Sequence, residues 1–192
     1  MSEISQNYES HQGTVSNSDR EQSENRISRT LMNSFEAVFR KTDDIYKLFF
    51  LLTKKLSKFF SISRASLIVH SKLDGKLKAI AMKGDKGAHE GLALTLPEQN
   101  SLLYNILESG VPYIENYPQQ FPGNFIEEKI LIDSDTRSLA VLPIKDNGTL
   151  GGLICFASPV PYAFTMLEDG LLDDLMEKFG PVLNKKLPRV NI

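Results

Sequence analysis

The chain has 192 residues, 41% of them hydrophobic and 24% charged, which suits one soluble domain with its own core and no need of a disulfide or metal. Its 22 basic and 24 acidic side chains leave a formal net charge of −2, so no nucleic-acid partner is expected, and its one cysteine, Cys155, excludes an internal disulfide and any multi-cysteine metal site. No apolar run approaches a bilayer span, and the polar N-terminus lacks the features of a signal or transit peptide; no membrane insertion is expected, and the cytoplasm is the expected compartment.

Residues 1–24 are rich in Ser, Gln, Asn and Glu, with no periodic apolar positions, and are read as a disordered polar tail. From Arg26 the pattern changes. Leu31, Phe35, Val38, Thr42, Ile45, Phe49, Leu52, Leu56 and Phe59 recur at alternating steps of 4 and 3, a helical stripe. Thr42-Asp43-Asp44 also reads as a helix start, so the stripe is either one helix through Phe60 or two helices meeting near Thr42. Residues 25–42 are taken as a helical extension available to pair with another chain, 43–187 as the domain and 188–192 as a short C-terminal tail.

Strands follow. Ala65 to His70 alternates in a β-rich run, Asp74-Gly75 turns the chain, Leu77 to Lys83 returns, and Gly91 to Leu96 forms a third strand ended by Pro97. Asn100 or Ser101 caps a short helix to about Glu108, which Gly110 stops. Val111 to Glu115 is extended, and the long connection 116–136 contains a helical turn around Phe125 to Leu131. Ser138 to Ile144 and Leu150 to Ala157 flank Asp146-Asn147-Gly148, a hairpin signal. Thr165 with Glu168 reads as a capping box for a closing helix striped by Leu167, Leu171, Leu175, Phe179 and Val182.

The near-zero charge is a cancellation. Residues 1–26 carry net −3, residues 27–86 carry thirteen basic and five acidic side chains, and residues 87–192 carry seven basic and fourteen acidic ones. This reads either as segregated solvated faces or as a basic surface for an anionic partner or for self-association. His11, His70 and His89 have no second ligand at regular spacing, so no metal or haem site is expected. Lys83-Gly84-Asp85-Lys86-Gly87 lacks the spacing of a P-loop and is read as a polar loop. Glu127-Glu128 and Asp133-Ser134-Asp135 are read as solvated carboxylates. Tyr104, Tyr113, Tyr117, Phe121 and Phe125 crowd the segment from Tyr104 to Ser138, which makes a pocket between that segment and the sheet the candidate site; the alternative is that these rings fill it.

Four passages, in order, resemble the GAF domain, a relative of the PAS fold. They are Phe59-Phe60 leading into Ile62-Ser63-Arg64-Ala65-Ser66-Leu67, the stretch Leu107 to Ile114 with Gly110 and Pro112, Ser138 to Ile144 followed by Gly148 and Gly151-Gly152-Leu153-Ile154, and Phe164 to Asp169. The resemblance implies an α+β fold: a central antiparallel sheet of five or six strands, N- and C-terminal helices on one face, and short helices and loops over a pocket on the other. It also implies Asn116, Asp133, Arg137 and Ser138 as polar groups of that pocket, beside Tyr104, Tyr117, Phe121 and Phe125. Asn116 stands where many members carry Asp, and the Asn-Lys-Phe-Asp signature of cyclic-nucleotide-binding members is absent.

The chain is therefore read as a non-catalytic sensory or regulatory module that binds a small ligand or a protein partner and signals through its terminal helices to a separate protein. One alternative is a homodimeric interaction scaffold joined by those helices, without a ligand. Another is an enzyme similar to the free methionine sulfoxide reductases of this family, whose chemistry needs a second, resolving thiol that this chain lacks. The cofactor is left open.

Overall fold

Asp44 starts the helix α1 (Ile45–Phe60) by accepting from the Tyr46 and Lys47 amides at 2.9 and 3.2 Å. Thr42 to Asp44 are not helical, so any helical extension is broken from α1 at this cap. The structure, a computed structural model, describes residues 42–116, 120–146, 148–165, 180–182 and 185–186, together with Asn33 and Ala37. The expected tail 1–24, most of the extension 25–42, the closing-helix positions from Leu167 to Phe179 and the tail 188–192 lie outside them.

Ser61 ends α1 in a left-handed conformation and turns the chain into β1 (Arg64–His70). The strands β2 (Leu77–Gly84) and β3 (Gly87–Thr95) follow, then the helix α2 (Leu102–Ser109), β4 (Tyr113–Asn116), α3 (Phe125–Leu131), β5 (Ser138–Asp146) and β6 (Thr149–Ser158). All strands pair antiparallel in one sheet of order β3-β2-β1-β6-β5-β4. This is the α+β arrangement that the resemblance implies.

β1, β5 and β6 are buried along nearly their whole lengths because both faces of the sheet are covered. On one face, α1 lays Ile45, Leu48, Phe49, Leu52, Leu56 and Phe60 against Leu67, Val69, Leu142, Ile154 and Phe156, with Phe164 closing the cluster. Each fully buried side chain of this size contributes about 1.5–3 kcal/mol. On the other face, Leu103, Ile106, Leu107, Ile130 and Leu131 of α2 and α3 cover Ile68, Leu77, Leu139, Leu153 and Cys155. Lys186 reaches the start of α1: its ammonium donates to the Thr42 carbonyl at 2.7 Å and to Asp43 at 2.6 Å.

The third strand begins at Gly87, four residues before the expected Gly91. Lys83 to Gly87 is thus the tip of a β2–β3 hairpin rather than a free polar loop. The polar opening of β3 hid it: this is an edge strand exposed at most positions, so no apolar alternation marks it.

Candidate functional site

The α2/α3 face carries a cluster of buried polar groups. Ser101 caps α2, its hydroxyl accepting from the Tyr104 amide at 2.9 Å. Asn124 caps α3 in a capping box with Glu127. Glu127 is fully buried, and its carboxylate also reaches across to the α2 N-terminus. There it accepts from the Leu102 amide at 2.9 Å, the Leu103 amide at 3.3 Å and the Ser101 hydroxyl. The expectation of a solvated Glu127-Glu128 pair is corrected: Glu128 is exposed, while Glu127 occupies the positive end of α2. Burial pushes the nearby Cys155 thiol well above its usual range, and the Glu127 charge pushes it further.

β1 holds α3 in place through two carbonyls. The Ser66 hydroxyl donates to the Ile130 carbonyl at 2.8 Å, and an Arg64 guanidinium nitrogen donates to the Lys129 carbonyl at 2.8 Å. The Arg64 Nε lies 3.7 Å from an Asp133 carboxylate oxygen and is buried without a hydrogen-bond partner.

The residues expected to line the pocket are dispersed. The Tyr104 hydroxyl accepts from the Leu77 amide at 2.8 Å, and burial raises its pKa. Phe121 packs against the apolar layer. Phe125 is 66% exposed, with the Lys129 ammonium 5.1 Å from its ring centre. Asn116 pairs with Ser138 across β4 and β5, and the Ser138 hydroxyl donates to the Val160 carbonyl at 2.9 Å. Asp133 accepts from the Thr136 hydroxyl at 2.9 Å, and Arg137 is exposed and donates to the Ser134 and Thr136 carbonyls. Tyr117 lies outside the described residues. Tyr113 donates to Glu115 at 3.0 Å, and burial first, then that bond, pushes its pKa up to about 12.

A groove of about 190 Å³ opens elsewhere on this face, between the start of β1 and the β2–β3 hairpin. Arg64, Met82, Lys83 and Lys86 line it, with Asp85 and His89. The run Lys83-Gly84-Asp85-Lys86-Gly87 is visible in the sequence, but Arg64 carries no local signal, because only the pairing of β1 with β2 brings it to the hairpin. Among the described residues no group of three His, Cys, Asp or Glu side chains is placed to hold a metal ion. None of the helices described is long and apolar enough to cross a membrane.

No protein-family model matches the sequence, and no curated protein matches it. Solved structures do. The GAF domain of a phosphoenolpyruvate-protein phosphotransferase from Coxiella burnetii superposes with a TM-score of 0.63 at 12% identity, covering 84% of this chain and 93% of that one. A putative GAF sensor protein from Burkholderia vietnamiensis gives 0.63 at 15%, covering 86% and 98%. The free methionine-R-sulfoxide reductase from Neisseria meningitidis, solved with its substrate, gives 0.62 at 16%, covering 85% and 89%. The chain has the GAF fold; at these identities the likeness fixes the architecture and leaves the chemistry to the residues.

Proposed function

We propose that this chain is a non-catalytic sensory or regulatory module that takes a small ligand on its α2/α3 face and signals through its terminal helices to a separate protein. The observation that carries this reading is the position of Arg64. It lines the groove, holds the end of α3, and lies three residues beyond the end of α1 at Ser61. A ligand that engages Arg64 therefore acts on α3 and on the α1–β1 junction together, and Lys186 couples the other end of α1 to the closing helix. A ligand shifts this assembly only by its different affinity for two arrangements of it. The putative sensor among the structural neighbours points the same way.

The burial of Cys155 supports a module without thiol chemistry, since the attacking species is the thiolate and this thiol is buried with its pKa raised. The test is amide NMR of the full chain against a panel of nucleotides, amino acids and sugar phosphates. The reading expects a binding ligand to perturb the α2/α3 face and also the amides around Asp43 and Lys186. A ligand that binds the face and leaves those amides unmoved overturns it.

A second reading, a homodimer, is favoured by Leu51 and Phe59. They are 38% and 44% exposed and lie eight residues apart on the outer side of α1. Light scattering of the protein and of a Leu51→Lys/Phe59→Lys variant tests it: a dimer that the variant abolishes supports it, and a monomer at high concentration rejects it.

A further inference from the structure

We propose that the groove between the start of β1 and the β2–β3 hairpin binds the phosphate group of a small phosphate monoester. This rests on the sensory reading and names the ligand class for it. The cavity is created by two glycines. Gly84 and Gly87 are paired across the hairpin, Gly84 neighbours Arg64, and the row Met82–His89 follows in register. A side chain begun at Gly84 meets only the Arg64 Nε, at 3.8 Å, and one begun at Gly87 meets nothing within 4 Å. Arg64, His89 and Lys86 therefore border a patch of bare backbone at the two glycines.

The charge sets the chemistry. Arg64, Lys83 and Lys86 bring three cationic side chains to the groove; Asp85 and the Asp133 carboxylate that pairs with Arg64 offset two of them, leaving one positive charge. A phosphate monoester offers three acceptor oxygens, one for each of these three cationic side chains, whereas a single carboxylate offers two. The Arg64 Nε makes no hydrogen bond, its ion-pair partner being the Asp133 carboxylate at 3.7 Å, so an anion that supplies a closer acceptor competes with Asp133 for it. A volume of about 190 Å³ exceeds one phosphate, and Met82 supplies an apolar wall for the organic part. The positive end of α2, the other anion-attracting place on this face, is already occupied by the protein's own Glu127.

The experiment is amide NMR of the full chain at constant ionic strength with glycerol 3-phosphate, inorganic phosphate, sulfate and glycerol. Saturable shifts at Gly84, Gly87 and His89 are expected with glycerol 3-phosphate, weaker ones with inorganic phosphate, and none with glycerol. Gly84→Val fills the groove without altering its charge and is expected to weaken binding at least about tenfold, with the melting temperature little changed, because a Cβ there has room. Lys86→Gln, an exposed change, is expected to weaken it by roughly three- to tenfold. No saturable shift up to about 10 mM, or equal shifts with sulfate, overturns the site. Equal affinity for inorganic phosphate and the ester makes free phosphate the ligand and overturns the ester assignment. Shifts confined to the groove, with none around Asp43 and Lys186, uphold the site and reject signalling.

Discussion

Among the described residues, one face of the sheet is covered by a helix of 16 residues that lays six large apolar side chains onto the strands. On the other, two helices of eight and seven residues cover the same strands and bring a fully buried carboxylate with them. The first face is held by packing, which is unspecific in direction and adds up over area. The second adds directed bonds to its packing: Glu127 to the α2 amides, and Arg64 and Ser66 to the last carbonyls of α3. A cover held in this way can shift when one bond is exchanged for another, and the basic groove lies where Arg64 holds that cover.

The contrast can be broken from either side. Phe49 is fully buried under α1, and Phe49→Ala is expected to destabilise the domain by about 3–5 kcal/mol in denaturant melts, with both faces unfolding together. Glu127→Ala strands two buried amides and a hydroxyl and is expected to cost about 2–3 kcal/mol. Formate at tens of millimolar should recover part of that loss by taking the vacated place at the α2 N-terminus, and should leave Phe49→Ala unchanged. Lys186→Met removes the tie between the closing helix and the start of α1. It is expected to cost about 1 kcal/mol in thermal melts, since the ammonium is nearly buried while Asp43 is largely exposed.

The smallest effect falls outside both faces. In the β1–β2 turn, hydrogen bonds from Lys78 and then Ser71 hold the Asp74 carboxyl down at about 2, against 3.8 for the free group. The unfolded chain thus binds more protons than the folded one between those values, so this contribution is present above pH 4 and is lost as the pH falls through 2. Asp74→Asn should flatten the acid dependence of stability in that window and change little at neutral pH.

The fold was legible where a pattern is local. The helical turn expected around Phe125 to Leu131 is the helix α3, Gly110 ends α2 with the positive φ expected of a glycine stop, and β5 and β6 pair as the expected hairpin, Asp146 opposite Thr149. The start of β3 was not, because a polar edge strand shows no alternation. The site was less legible. Tyr104 and Phe121 belong to the apolar layer, whereas Arg137 and Phe125 are exposed; their sequence neighbourhood does not reveal which way each side chain goes. Arg64 and Glu127 act through partners 65 and 25 residues away, at Lys129 and Leu102, a relation that only the assembled sheet creates.

Native-state hydrogen exchange across α1, α2 and α3 tests most directly the claim that one cover is fixed and the other adjustable. The account predicts that amides of α1 and β1 exchange only through global unfolding, while those of α2 and α3 exchange through a smaller opening with a weaker denaturant dependence. Exchange of all three helices at one free energy, with one denaturant slope, would contradict it.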